Sequence, residues 1–409
     1  MKKLISILCA GAMLLSLAAC GSTSGGASAA DTNITADSVV SSDKAGSTNT
    51  GSTVTDADIA AQLADAVTLT FSDSGITADG SGGFETDGTA LTITDAGAYV
   101  LTGSCADGSV KVKKGVTGVT LVLSGLELTS ADTAPITCAK SSQVVLYAAA
   151  GTENRLADTA QNNDETYSEN ADAENAVIKC KDSSQVTLCG SGSLVIEANG
   201  KNGIKSGATT AEEGEASLTI RDITLTIAAP VNDAINAEQL LVIESGTLTI
   251  AAGDDAIHCD LLLNIGAEGT DGPAITITDC YEAIEAATLN ILSGDIDITS
   301  SDDCLNAANS DLSGYAFSMN ISGGTITAFS SGGDGFDSNG SLTISGGTVV
   351  VWTANTADNQ PLDADGTITI SGGTVLAAGG SSMGMNLSAS QTCVTFGASG
   401  MGGFSSSAI

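Results

Sequence analysis

A short turn returns seven times in this chain, in phase with a strand pattern, and it limits the fold more than any other feature. It reads Asn202-Gly203-Ile204-Lys205, Asp233-Ala234-Ile235-Asn236, Asp255-Ala256-Ile257-His258, Glu282-Ala283-Ile284-Glu285, Asp303-Cys304-Leu305-Asn306, Asp334-Gly335-Phe336-Asp337 and Gln360-Pro361-Leu362-Asp363. The apolar anchors at the third position lie 31, 22, 27, 21, 31 and 26 residues apart. A second apolar series, Leu194, Leu225, Leu248, Ile275, Ile296, Ile326 and Val349, precedes them by 9 or 10 residues, and by 13 in the last repeat. Two series that keep phase while the overall period wobbles mark stacked coils with loop insertions. In such a stack every residue column becomes a ladder.

Each repeat reads as three short strands. One resembles Leu342-Thr343-Ile344, followed by a Ser345-Gly346-Gly347 corner; the next resembles Thr348–Val351; a variable loop then leads to the third, around the Asp-x-Ile turn. Glycine supplies the positive φ of a sharp corner, and alternation points the second apolar series inward. Helical periodicity is absent from the repeats, so the expected fold class is all-β, a right-handed parallel β-helix with three short strands per coil. A β-propeller would need antiparallel hairpins in longer blades, and none are visible.

The N-terminus reads as an export signal. Lys2 and Lys3 precede the apolar stretch Leu4–Ala19, and Leu17-Ala18-Ala19-Cys20 matches a lipobox. Residues 1–19 are therefore expected to be a lipoprotein signal peptide and Cys20 the lipidated first residue of the mature chain. Residues 20–60 form a Ser/Gly/Thr-rich tether and 61–409 the repeat domain. The expected location is extracellular, with the membrane reached only through that anchor. Of the ten cysteines, Cys180 and Cys259 fall in a column otherwise filled by Ala and Ser, so small buried core residues are expected rather than a disulfide framework. The pairing state of Cys105 and Cys393 stays open.

Charge is lopsided. From Asp222 to Ile409 there is no Lys or Arg, only His258 against more than twenty acids. Such a surface repels nucleic acid, and holds an acidic polysaccharide only if a divalent cation lies between them.

Several motifs together carry a resemblance. Gly97–Gly103 (GAYVLTG), Val119–Ser130 with Ala134-Pro135-Ile136, Gly151-Thr152-Glu153-Asn154 and the Asp-Ala-Ile turns resemble the clostridial cell-surface carbohydrate-binding domain-containing family, over about residues 66–396. The resemblance implies a pectate-lyase-like right-handed β-helix with bound calcium, associated with cellulose and acidic plant polysaccharide. Two departures stand out. Gln360-Pro361 replaces the acidic turn, which counts against a metal in the last coil. The chain also stops soon after Thr392–Phe396, where relatives continue, so a short C-terminal cap is expected.

The turn column is mostly acidic. Asp233, Asp255, Glu282, Asp303 and Asp334 stand two residues before their anchors, with Asp254 and Asp302 adding second acids; Asn236, Glu285, Asn306 and Asp337 stand one residue beyond. Carboxylates stacked about 4.8 Å apart repel by about 3.5 kcal/mol at an effective dielectric near 20. Calcium, held by these eleven residues, is one resolution; the other is a solvated ladder in which each carboxylate caps its own turn.

Aromatics are scarce, and Phe329 and Trp352 fall at equivalent outward positions of adjacent coils. They form either a platform for sugar faces or a patch covered by the C-terminal tail. Tyr281 and Tyr315 read as loop residues. Lyases of the pectate-lyase-like fold pair calcium with an Arg or Lys base, and none follows Arg221; hydrolases of that fold use clustered Asp, which Asp254/Asp255 with Asp302/Asp303 mimic at repeat spacing. The function expected is non-catalytic, calcium-dependent binding of acidic galacturonan or cellulose by a monomer. A polysaccharide lyase or hydrolase and a structural adhesin are the alternatives.

Overall fold

The computed structural model describes residues 56–208, 217–354, 359–380, 387–394, 398–399 and 403–404. Cys20 and the signal segment lie outside the described residues. The described chain is all-β apart from one helix, Asp56–Leu63, and is organised around one long, mostly parallel sheet. Two antiparallel hairpins open it, Val67–Ser72 with Gly75–Ala78 and Phe84–Asp87 with Ala90–Ile93.

The helix starts four residues before the expected end of the tether at residue 60. Ile59 explains the difference: it is buried against Val122, Tyr147 and Cys189, so this segment packs on the sheet rather than trailing from it. Gln62 Oε1 also accepts a 2.7 Å hydrogen bond from the Thr120 hydroxyl.

From Gly97 onward the sheet is built of parallel pairs that link each repeat to the next. The anchors pair as expected: Ile204 with Ile235, Ile235 with Ile257, Ile257 with Ile284, Ile284 with Leu305 and Leu305 with Phe336. An isolated parallel bridge joins Phe336 to Leu362. The second series pairs without a slip from Leu194 to Val375. A third column, Leu218, Leu241, Leu263, Leu289, Met319, Leu342 and Ile368, completes the repeat. Side chains from all three columns share one continuous core. A one-residue slip in any strand would turn its buried row to solvent, which is why the register holds over so many repeats.

The wobble in period comes mostly from places other than the loop before the turn. Fourteen residues separate Ile204 from Leu218 and Leu305 from Met319, against six between Ile235 and Leu241. Insertions thus follow the third strand in two repeats, fall between Leu263 and Ile275 in another, where twelve residues stand in place of seven, and lengthen the stretch into the turn only from Val349 to Leu362. At the glycine corners Gly324, Gly347 and Gly373 take φ of 83°, 79° and 75°. A Cβ on Gly347 would sit 2.7 Å from the Gly324 carbonyl oxygen, so the corner excludes side chains sterically as well as by φ.

The cysteines behave as core residues. Cys105, Cys138, Cys180, Cys189, Cys259, Cys280 and Cys304 are buried thiols outside any disulfide, and Cys393 is a partly exposed thiol.

Candidate functional site

The acidic turns are stacked by their own main chain. In each, the N–H of the small residue before the anchor donates to the carbonyl of the acidic residue in the next repeat: Ala234 to Asp255, Ala256 to Glu282, Ala283 to Asp303 and Cys304 to Asp334. Gly335 donates to Gln360 in the same way. A small residue is needed there because the chains approach closely; a Cβ on Gly335 would lie 2.5 Å from the Pro361 carbonyl oxygen. The backbone ladder thus forces the carboxylates into a row whatever their mutual repulsion.

Capping is real; at Asp233, Asp303 and Asp334 it runs between repeats, and at Asp363 within the turn, where Oδ1 accepts from the Ala364 N–H at 2.8 Å. Asp233 Oδ1 accepts from the Asp255 N–H at 3.3 Å, Asp303 Oδ1 from the Asp334 N–H at 2.6 Å, and Asp334 Oδ1 from the Gln360 N–H at 2.5 Å. The parallel offset brings the next turn's N–H, and not the residue's own, in front of the carboxylate. Asn236 Nδ2 donates to Asp233 Oδ2 at 2.6 Å, and Asn306 Nδ2 to Glu282 Oε2 at 2.9 Å. Capping uses one oxygen of Asp303 and one of Asp334, and it leaves a surplus of charge.

That surplus shows in the proton affinities. Burial pushes Asp303 up to about 8, with the charges of Asp337, Glu282 and Asp302 adding to it. Burial likewise pushes Asp337 up to about 6, aided by Asp334 and Asp363. Glu285 is pushed up to about 9, first by burial and then by its hydrogen bond with Glu282. Carboxyls that hold protons near neutral pH are carboxyls short of counter-charge.

Two groups of side chains bring ligand atoms within 4.8 Å of one another, Asp255/His258/Glu285 and Asp334/Asp337/Asp363. They differ in chemistry. In the first, His258 Nδ1 lies 3.0 Å from Asp255 Oδ2 and 3.7 Å from Glu285 Oε1, and its Nε2 lies 3.0 Å from Asp260 Oδ1. Burial works to lower the pKa of His258, but the hydrogen bonds to Asp255 and Asp260 outweigh it and hold it up at about 11. An imidazolium therefore already supplies a positive charge there, and burial raises Asp255 only to about 6.

The second group has oxygen donors only. Beside it, Gln360 is buried with Oε1 lacking any donor, while its Nε2 donates to Asp363 Oδ2 at 3.1 Å. Three carboxylates and an orphaned buried carbonyl suit a hard divalent cation, which takes six to eight oxygen ligands when it is calcium. Gln360-Pro361 was expected to count against a metal in the last coil; the turn nonetheless keeps side-chain oxygens beside Asp334 and Asp337. The replacement supplies an amide oxygen, and Asp363 joins Asp334 and Asp337.

Of the eleven residues expected to hold metal, the structure gathers Asp255 with Glu285, and Asp334 with Asp337. Asp233, Asn236, Asp254, Glu282, Asp302, Asp303 and Asn306 line the same ladder outside both groups. His258 and Asp363 were legible only as members of the column after the anchors. Tyr281 is a further addition: it stands three residues before its anchor, the slot that Asp254 and Asp302 fill, and its main chain bonds to both. Its half-exposed ring thus sits in the acidic row, and its hydroxyl, hydrogen-bonded to Asp302, is pushed up to about 12.

Phe329 and Trp352 pair in register and stack, with centroids 5.6 Å apart and planes at 28°. Trp352 remains 39% exposed. Val350 pairs with Leu376 one outward row away, and Leu376 is 60% exposed, so the rings belong to a wider apolar strip.

A model of the family described as carbohydrate-binding domain-containing protein matches residues 87–384. A protein of that description from Acetivibrio thermocellus is 31% identical over 137 residues, 33% of this chain; the chain spans 46% of that relative's length. The chain is also similar to a solved structure of a polysaccharide lyase-like protein from C. thermocellum, a gadolinium derivative. The identity is 23% and the TM-score 0.41, over 76% of this chain and 99% of the other.

Proposed function

Because the chain belongs to the carbohydrate-binding domain-containing protein family, we propose that it binds cell-wall polysaccharide without cleaving it. We take the repeats to be coils of a right-handed parallel β-helix, and the ligand to be acidic galacturonan, cellulose, or both. The observation that carries this reading is the oxygen-only group Asp334/Asp337/Asp363 with the orphaned Gln360 oxygen, in a half of the chain without Lys or Arg. Calcium there would supply the positive charge that a uronate carboxylate requires beside so many acids.

The chain's own residues divide the remaining work. Asp334 and Asp303 spend one oxygen each on the next turn's N–H and so hold the row rigid. Asp337 and Asp363 stand nearby as carboxylate donors. Phe329 and Trp352 offer stacked rings to the apolar face of a sugar, a contact that needs no charge. The absence of Lys or Arg after Arg221 deprives the acidic face of the base that a lyase needs, which supports a non-catalytic role. Export and lipid anchoring through Cys20 would place a monomeric binder at the cell surface.

Affinity electrophoresis against a panel of neutral and acidic glycans, run alongside an assay for unsaturated oligouronides, tests the reading. Retardation without product release is expected. Sustained release of unsaturated products from pectate would replace it with the lyase alternative.

A further inference from the structure

The column one residue past the anchors changes sign along the sheet. Strand pairing places Lys179 beside Lys205 in one half, and His258 beside Glu285 in the other, with Asn236 between Lys205 and His258. Lys179 and Lys205 each stand between two buried neighbours of their own strand, Ile178 and Cys180 or Ile204 and Ser206, so both side chains point outward from adjacent repeats. Strand spacing sets their backbones about 4.8 Å apart.

The other cations nearby are already matched. Lys140 pairs with Asp182, Lys181 with Glu174 at 2.6 Å, Lys201 with Glu165 at 2.5 Å and Arg155 with Glu197 at 2.6 Å. Lys179 and Lys205 have no ion pair or hydrogen bond among the described residues. Of the acids whose charge reaches Lys179, Glu174 is paired with Lys181, and Glu238, which accepts from the Ala208 N–H at 3.1 Å, keeps its charge but forms no ion pair with either lysine. Burial, and then the charge of Lys205, hold the Lys179 ammonium below its ordinary pKa. Two like charges, partly buried and in register, with no ion pair among the described residues, stand on the same column as the acidic clusters. What relieves them is an anion with two acceptor oxygens, and a carboxylate fits between two ammonium groups at that spacing.

We propose that Lys179 and Lys205 form an anion subsite that takes the carboxylate of an acidic sugar directly, without a cation. The identity of the sugar rests on the polysaccharide reading above; the carboxylate chemistry does not. About 24 Å, five strand spacings, separates Lys205 from Asp337 along the column. One acidic glycan strand spanning a few rings would then meet a direct ammonium contact at one end and the acidic, cation-bridged ladder at the other. The face would thereby read the spacing of the carboxylates and not their number alone.

Lysine side-chain NMR on the full chain, labelled at lysine Cε and titrated in chelator with galacturonate monomer and with galactose, tests this. Galacturonate, but not galactose, should move two lysine signals that are missing from the Lys179→Gln/Lys205→Gln variant and present in an exposed-site control, Lys114→Gln. In parallel, the double variant should bind polygalacturonate at saturating calcium roughly tenfold more weakly, with cellulose binding unchanged. Lysine signals that stay still at high galacturonate overturn the proposal, whatever the polymer does. Moving signals in a protein that ignores polygalacturonate would keep the subsite and remove the polysaccharide reading. Both variants remove a cation from an unpaired position, so loss of folding is not expected, and circular dichroism checks it.

Discussion

Calcium should raise the melting temperature, and the oxygen-only group near the C-terminal end should be responsible. A cation bound only by the folded state adds about 2.7 kcal/mol at a hundredfold excess over its dissociation constant. Extracellular sites of this kind bind in the range of about 0.1–1 mM, so 10 mM calcium approaches that excess at the tighter limit. Unfolding entropy is about 2.1 cal/mol/K per residue, which for the 325 described residues gives ~0.7 kcal/mol/K and a rise of about 4 °C for one ion. The informative variant is Asp337→Asn/Asp363→Asn. Asp334 is left in place because its Oδ1 caps the Gln360 N–H; Asp363 also caps, through Oδ1 to the Ala364 N–H, a bond that the Asn amide oxygen can keep. Calorimetry in calcium, in magnesium and in chelator should show the rise in wild type only with calcium, and none in the variant. In chelator the variant should melt no lower than wild type, since two mutually repelling carboxylates have been neutralised. A variant that keeps the full calcium shift would put the ion elsewhere, and a wild type indifferent to calcium would leave the ladder as capping alone.

In chelator, stability should rise as pH falls from about 8 to 5. Asp303 at about 8 and Asp337 at about 6 lie above their unfolded values, so the folded chain binds protons more tightly; their destabilisation grows as pH rises through that window. His258, raised to about 11, adds stability that is complete below its unfolded value and lost on the way up to pH 11, the same sign. Denaturant midpoints across pH should show the slope in chelator and a flatter profile in calcium. Trp352→Ala should weaken cellulose binding about tenfold, at the upper end of what a stacked ring contributes, while leaving the calcium shift intact. Trp352 is the one tryptophan of the chain, so its fluorescence reports directly on that surface. Cys20→Ala should release the protein from membranes, and persistent partitioning would refute the lipobox reading.

The register of this fold was legible because each side-chain column repeats the same chemistry. Ile204 to Leu362 and Leu194 to Val349 could be aligned by eye, and the strands pair as those alignments require. What the columns hide is which neighbours close on one another. Asp363 and His258 stand in the same row, yet one completes an oxygen-only group and the other supplies its own positive charge. That distinction depends on side-chain reach across repeats, which spacing alone leaves open. The place of Gln360 was hidden for a related reason: spacing does not show that its amide nitrogen is occupied by Asp363. Tyr281 was recoverable, since counting three back from Ile284 puts it in the Asp254 and Asp302 slot. The direction of capping was not, because it depends on the offset between parallel turns.

The central claim is tested most directly by retardation in gels containing polygalacturonate or a soluble cellulose derivative, each run with calcium and with chelator. The account predicts that chelator abolishes retardation by polygalacturonate and leaves most of that by the neutral polymer, held through Phe329 and Trp352. Equal retardation by polygalacturonate with and without calcium would contradict it.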